Sequence, residues 1–509
     1  MRYRSLTTAA FAAFFAMALP ATAFAVPRPL WLGMEEMAGM GSGAGAPLAL
    51  SRKIASTGVR FQRVSVSWRE LQPTRPADAT GWGDSNFDQS AISHLDDMLR
   101  AAADIRPGTG AGLPVLLQIE SAPDWAQTSD RPGNGGAGSI GAELSTHPGA
   151  WRPNATDFGN LAQALATRYD GNDRHNTYDR LLPKVEYFQG WNEPNISTHL
   201  APQDLDSGAF VGADLYRALL NSFYTGLHAG GRTDVKVVAA GLSPFGRTRG
   251  IVQGTYPQAF ARAVLCVQHI GSAWSANGSC GPVSFDIWAQ HPYDIVGSPS
   301  RGPDSSGQKG LMADIPSIRS AVAAAVRLGT ALPKVSKRMW VTEFDWWTNP
   351  PSSAYGKSPA LAARYTTDSL WHAWAAGVDT LFWHGVRDNL NWSGGLWFAS
   401  KYVAVRDLTP EIIAADHAKP ALKSFKWPFR EVPRRTPYAW GIVPCRLAGQ
   451  KVIIEQVVRR RWRPVTHGTS APSGVFQIQL SKRGRGVGRW RAKAPASCGA
   501  YSQEWNSRW

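Results

Sequence analysis

Cysteine is scarce, at 4 of 509 residues. None of the four sits in a CxxC pair or beside the histidine spacing of a zinc site, which points away from a Cys/His metal centre. Charged residues make up only 18% of the chain against 43% apolar, so a disordered polyelectrolyte is excluded. Beyond the N-terminus no apolar run reaches the ~20 residues needed to cross a bilayer. No GxGxxG follows the first candidate strand, and the Walker A, GxSxG and HExxH patterns are missing as well. Dinucleotide binding on a doubly wound sheet, P-loop chemistry, a serine-hydrolase elbow and a zinc-protease helix are thereby set aside.

Acidic residues are scarce in one region. From Lys419 to Trp509 there are 19 Lys+Arg and 3 Asp+Glu, a net charge of +16, which equals the net charge of the whole chain. The first 418 residues therefore hold 35 basic and 35 acidic residues and are neutral. A basic excess first points to nucleic acid or an anionic surface. Confined to the tail, it marks instead two physically different pieces joined near residue 420.

At the N-terminus, Arg2 and Arg4 precede an apolar run from Ala9 to Leu19, and Ala23-Phe24-Ala25 has the small-x-small form of a cleavage site. Residues 1–25 read as a signal peptide cut after Ala25, which predicts an exported protein. Oxidising conditions then favour paired cysteines. One pair per region, Cys266 with Cys280 and Cys445 with Cys498, is the simplest of three connectivities.

Short, nearly continuous apolar runs alternate with amphipathic stretches along the neutral part. Strands are predicted at Leu30–Glu35, Val59–Trp68, Pro114–Glu120, Val185–Trp191, Val235–Leu242, Phe285–Gln290, Met339–Glu343 and Thr380–His384. Helices are predicted between them, among them Asn86–Ile105, Asp157–Tyr169, Gly212–Ala229, Pro257–Ile270, Ile315–Leu328 and Pro359–Ala376. Eight strands with interleaved helices predict an α/β fold, a (β/α)8 barrel over 26–426 with long insertions. Gly/Ser-rich stretches at Gly39–Gly45, Gly133–Gly141 and Gly297–Gly310 read as loops. After a Pro-rich linker at 427–437, short strands at Tyr438–Val443, Lys451–Val458, Val475–Leu480 and Gly488–Ala492 predict a small basic β-sandwich over 438–509.

Two glutamates stand where chemistry is expected. Glu193, in Gln189-Gly190-Trp191-Asn192-Glu193-Pro194-Asn195, ends the fourth strand, because Pro194 cannot donate to a sheet ladder. Glu343 ends the seventh, in Met339-Trp340-Val341-Thr342-Glu343. Side chains at the C-terminal ends of barrel strands face the active-site mouth. Two carboxylates meeting there, one protonated and one ionised, are what glycosidic bond cleavage needs. Arg63 shares an alternating face with Phe61, Ser65 and Ser67, so its cation points into the barrel, where a carboxylate must balance it. Asp286 and Asp294 flank the sixth strand without a histidine cluster, so no metal site is expected there. Tryptophan is abundant, 22 residues, and Trp68, Trp125, Trp191, Trp346, Trp347, Trp383, Trp392 and Trp397 fall at or just after strand ends, where indole faces stack on sugar rings.

These residues resemble those of clan A retaining glycoside hydrolases, whose barrels carry catalytic glutamates after strands four and seven. Trp191-Asn192-Glu193-Pro194 is similar to the clan's acid/base motif, and Thr342-Glu343 to its nucleophile. The resemblance implies that Asn192 holds the sugar 2-hydroxyl and that Arg63 orients the nucleophile. It also implies that Tyr293, in His291-Pro292-Tyr293, contacts that carboxylate, while Trp383 floors the cleaved sugar's subsite. Trp68 and Trp125 are expected to bind substrate too, and Ser121-Ala122-Pro123-Asp124-Trp125-Ala126 resembles families 39 and 5. The implied reaction is double displacement on a β-linked carbohydrate, with no metal or organic cofactor. A second reading is a non-hydrolytic carbohydrate-binding or polymer-handling protein on the same barrel.

The tail is read from its charge. Arg459-Arg460-Arg461-Trp462-Arg463 and Lys482-Arg483-Gly484-Arg485 suit an anionic cell-surface polymer, or are simply a solvated face. Nucleic acid is not expected as a partner.

Overall fold

Near-continuous apolar strands need cover on both faces, and a closed parallel barrel supplies it. In the computed structural model eight parallel strands close on themselves: β1 Trp31–Glu35, β2 Phe61–Ser67, β3 Val115–Glu120, β4 Tyr187–Gly190, β5 Lys236–Leu242, β6 Ile287–Gln290, β7 Arg338–Val341 and β8 Thr380–Trp383. Each is followed by a helix: α1 Ala46–Ala55, α2 Gln89–Asp104, α3 Ala155–Arg168, α4 Gly212–His228, α5 Pro257–Val264, α6 Ile315–Leu328, α7 Pro359–Ala376 and α8 Pro420–Lys426. The structure describes residues 26–36, 42–105, 112–133, 139–172, 181–204, 210–246, 254–445, 449–480 and 488–507. The predicted signal peptide and the Lys482–Arg485 motif lie outside the described residues, as do parts of the first two glycine-rich loops. Among the described residues no helix is long and apolar enough to cross a membrane.

Strand alternation divides the core. Phe61, Leu116, Ile287, Trp340 and Phe382 point inward and fill the barrel below the site, with Phe61 5.5 Å from Trp340 and 6.0 Å from Phe382. Val64, Val66, Met339, Val341, Leu381 and Trp383 point outward under the helices. Asp88, Asn154 and Ser358 start α2, α3 and α7 by accepting a backbone N–H with their side chains, an effect of about 1 kcal/mol each.

Four expectations change. The predicted helix Pro257–Ile270 stops at Val264, because Cys266 takes a left-handed φ of 54° and Val267–Ile270 turns into a hairpin with Ala273–Ala276. Helix α1 was not predicted. The stretch expected to be a linker holds strand β9, Phe429–Val432, paired antiparallel with β10, Tyr438–Ile442. The arginine run opens a strand, β12, Arg461–Thr469, paired with β11, Lys451–Val458.

The C-terminal part is two antiparallel sheets. One orders β9, β10 and β13 (Val475–Gln479); the other orders β12, β11, β14 (Arg489–Lys493) and β15 (Trp505–Asn506). Phe429, Ala439, Phe476, Val452, Ile454 and Trp490 form a common core between them. The inner sheet is covered on its other face too: Tyr438 and Trp440 pack on α7, with Trp440 5.9 Å from Trp374. Disulfides join Cys266 to Cys280 and Cys445 to Cys498, the pairing expected from the sequence.

Candidate active site

The carboxylate after β4 is placed by its backbone. Trp191 and Glu193 both adopt positive φ, 73° and 39°, which turns the chain sharply at the strand end. The Trp191 N–H donates to Ile119 O at 2.9 Å, and the Glu193 N–H to Gly241 O at 3.1 Å. That carbonyl is presented by a bulge in β5, where Ala240 and Gly241 take φ of 72° and 65°. Glycine is required at 241: a Cβ there would lie 2.6 Å from Gln189 Nε2 and 2.8 Å from His291 Nε2. One bulge thus seats both Glu193 and His291.

The carboxylate after β7 sits in a cage of donors. Arg63 Nη1 donates to Glu343 Oε1 at 2.8 Å, and Tyr293 Oη donates to Oε2 at 3.1 Å. His291 lies between the two glutamates, its Nδ1 3.1 Å from Glu193 Oε1 and 3.5 Å from Glu343 Oε2, while its Nε2 is 2.9 Å from Thr342 Oγ1. Carboxylate oxygens of Glu193 and Glu343 approach within 4.8 Å. Burial by itself would raise the Glu343 pKa, but the charges of His291, Arg63 and His384 outweigh it and hold this group far below the usual carboxylate range.

Arg63, 1% exposed, ties the site together. The same Nη1 donates to Glu35 Oε2 at 2.6 Å, and Nη2 reaches Asn192 Oδ1 at 3.2 Å. Asn192 is therefore oriented with its oxygen toward the cation, leaving its N–H donors to the cavity it lines. Glu35 also accepts from Ser65 Oγ at 2.7 Å and from His384 Nδ1. Burial works against the imidazolium of His384, yet Glu35 and Glu343 push its pKa up to about 9. His199, between Glu120 at 2.7 Å and Glu193 at 3.9 Å, is likewise pushed up to about 9 by Glu120, Glu193 and Glu343 against the effect of burial. Burial raises Asp345, which accepts from Trp392 Nε1, to about 7.

Glu193, Glu343, Glu35, Asn192, His199, Tyr293, Asp345 and His384 line a cavity of 520 Å3, with Trp346, Trp347, Tyr355 and Trp392 also in its wall. The Trp347 and Trp392 rings meet at 4.8 Å, nearly edge to face. A second, more polar cleft of 1280 Å3 adjoins it, the two sharing Glu120 and His199.

The structure thus brings together Glu193, Glu343, Asn192, Arg63, His291 and Tyr293. Three expected substrate contacts lie elsewhere. Trp383 is 1% exposed and faces outward, its Nε1 donating to Gly394 O at 2.8 Å and its ring 5.6 Å from Phe425. Strand β8 turns the next side chain, His384, into the site; the expectation was one residue out of register. Trp68 is fully buried against Phe158 at 5.5 Å. Trp125 meets Trp68 edge-on at 5.6 Å, carries Arg75 on its face and does not line the cavity. Trp191 and Trp397 are buried as well, so Trp346, Trp347 and Trp392 are the tryptophans of that group at the cavity. Glu35, His384, His199 and Asp345 were not anticipated. For Glu35 and His384 the available signal was their position at strand ends. His199 lies in a loop with no periodicity to mark it.

Among the described residues two sets could in principle offer three metal ligands, Glu35/Glu343/His384 and Glu193/His291/Glu343, each with ligand atoms within 4.8 Å of one another. Both include Glu343, already bonded to the Arg63 guanidinium, whose charge opposes a second cation. The donor set fits proton transfer and attack at an electrophilic carbon better than metal binding.

No family model and no curated protein matches the chain. Similar solved structures include a glycoside hydrolase family 5 enzyme from Prevotella bryantii B14, 13% identical, covering 78% of this chain and 95% of that one with a TM-score of 0.43. Another is the catalytic domain of the family 30 xylanase C from Talaromyces cellulolyticus, 11% identical, covering 90% and 98% with a TM-score of 0.43. A third is the cellulose synthase subunit Z of Clostridioides difficile, 12% identical, covering 76% and 99% with a TM-score of 0.39. For this chain the fold is established by the strand order itself, an eight-stranded parallel barrel.

Proposed function

We propose that the chain is a clan A type O-glycosyl hydrolase that cleaves β-linked carbohydrate with retention of configuration. The carrying observation is the pair of carboxylates at the ends of β4 and β7, with oxygens within 4.8 Å. Retaining enzymes hold their carboxyl groups ~5–5.5 Å apart and inverting enzymes ~6.5–9.5 Å, and nearest oxygens within 4.8 Å favour the closer arrangement. Glu343, kept ionised by the cations around it, attacks the anomeric carbon. Glu193 protonates the leaving oxygen, then takes a proton from the water that releases the sugar. Asn192 donates to the hydroxyl beside the reacting carbon, and the tryptophan wall receives the apolar face of a sugar ring. The barrel carries the reaction, the C-terminal sheets are accessory, and the two disulfides support an exported protein.

The test is hydrolysis of a panel of soluble β-glucans and β-xylans by the wild type and by Glu193→Gln and Glu343→Gln variants, with the first-formed anomer read by NMR. Each variant is expected to lose about a thousandfold or more in turnover, and the wild-type product to appear first as the β anomer. Unchanged turnover in either variant sinks the assignment of these residues, and a first-formed α anomer sinks retention. Tight binding of a glycan by a wild type that cleaves none of the panel supports the non-hydrolytic reading instead.

A further inference from the structure

The outer sheet of the C-terminal part leaves one face open. Register places Ile454 opposite Ala492 and Gln456 opposite Trp490 on the core side, so the alternate pairs, Glu455 with Arg491 and Val457 with Trp462, look outward. On that face the Arg491 guanidinium carbon lies 4.2 Å from the Trp462 ring centre and 3.9 Å from that of Tyr501, and its Nε donates to Glu455 at 2.7 Å. Trp462 on β12, Arg491 on β14 and Tyr501 in the segment bridged to Lys493 form a strip, flanked by Arg489 and Lys493.

At the end of β11 and β12 the strip runs into an unusual turn. Arg459 and Arg460 link the strands as a two-residue hairpin loop, and both take positive φ, 48° and 64°. Such turns favour Asn-Gly, because a side chain with Cβ is strained there. Two arginines in those positions are a local departure that chain reversal does not require. Arg459 and Arg460 are both exposed, and among the described residues neither forms an ion pair. The acids of this sheet are already matched: Glu455 with Arg491, and Glu504 with Arg489 at 2.5 Å. The remaining charge is positive and uncompensated, next to flat rings.

We propose that this face binds an acidic polysaccharide, a polymer bearing uronic acid carboxylates, with its rings on the Trp462–Tyr501 strip and its carboxylates met by the hairpin arginines. Guanidinium groups pair with carboxylates in a two-pronged geometry that ammonium groups cannot match. Aromatic rings receive the C–H faces of pyranoses while the surrounding cations attract the chain. The choice of polysaccharide over another polyanion rests on the sugar chemistry proposed for the barrel. Binding is measured separately from hydrolysis, so the failure of one idea does not resemble the failure of the other.

The experiment titrates the full-length protein with polygalacturonate, neutral dextran, a short DNA duplex and phosphatidylglycerol vesicles, at ~50 and ~300 mM salt. Polygalacturonate is expected to bind tightest, and more weakly at high salt, while dextran does not bind. The double variant Arg459→Asn/Arg460→Gly keeps the favoured turn chemistry, so the sheet stays folded; it should bind polygalacturonate roughly tenfold more weakly. Trp462→Ala should lose about fivefold. Hydrolysis of a small soluble β-glycoside should not change in the double variant. Wild-type binding by both variants overturns the proposal, as does equal binding of dextran. Tighter binding of the DNA or the vesicles overturns the choice of polymer.

Discussion

Arg63 and Arg459 are the same side chain in two electrostatic settings. Arg63 is buried at the barrel mouth, with Glu35 at 2.6 Å and Glu343 at 2.8 Å. Arg459 stands in water at a hairpin tip, with no acidic partner among the described residues. At the mouth, low dielectric makes each charge depend on its partner, and removing one exposes the cost of the other. On the outer sheet, water and salt screen each charge, and what matters is the sum over the face. Charges of the tail that touch the barrel follow the first pattern: Lys419 pairs with Asp388 at 2.6 Å, and Arg430 with Asp368 at 2.8 Å.

The sharpest way to break this comparison is to remove one cation from each setting. Arg63→Met should lose about 3–5 kcal/mol in chemical denaturation, because two buried carboxylates lose their common partner. Arg463→Gln on the open strand should stay within about 0.5 kcal/mol. Similar losses for both would show that the burial described here does not govern their worth.

A second comparison uses two tryptophans near the mouth. Trp383→Ala empties a packed site under the helices and should lose about 3–5 kcal/mol of stability, while the folded fraction keeps its KM. Trp392→Ala, at the cavity wall, should raise KM about fivefold with a smaller stability loss. A KM change confined to Trp383→Ala would put the Trp383 ring, not the Trp392 ring, at the substrate.

A third comparison is in pH. His384 and His199 titrate in the folded state at about 9, above the ordinary 6.5. Their stabilisation is therefore complete below 6.5 and is lost as pH rises through about 9. The denaturation midpoint should fall over that window in wild type, and His384→Asn should flatten the fall. A midpoint that rises over the same window contradicts the ion pairs assigned to these histidines.

The barrel was largely legible because buried parallel strands must be apolar throughout, and all eight expected strands overlap those observed. Arg63 was legible by alternation alone: a cation among Phe61, Ser65 and Ser67 has to point inward. The clustering of Glu193 with Glu343 followed from strand ends. Register was the weak point. At the end of β8, Trp383 and His384 are neighbours on opposite faces, and composition favoured the aromatic one. Periodicity says nothing about loops, so His199 was invisible. In the tail, β12 was hidden because its arginines, histidine and proline resemble a surface motif more than a strand, and it is a half-exposed one.

The shared grip of Arg63 on two acids has a consequence over a reaction cycle. In the double displacement proposed here, Glu343 becomes an ester when it bonds the sugar and gives up its negative charge. A guanidinium held by that group alone would then be stranded without a counter-ion inside the barrel. Glu35, 2.6 Å from the guanidinium, remains as its counter-ion, shared with the His384 imidazolium. The third carboxylate then stands between two cations, Arg63 and His384, so the ester forms with one positive charge in excess, a charge that favours the return of Glu343 to its ionised form.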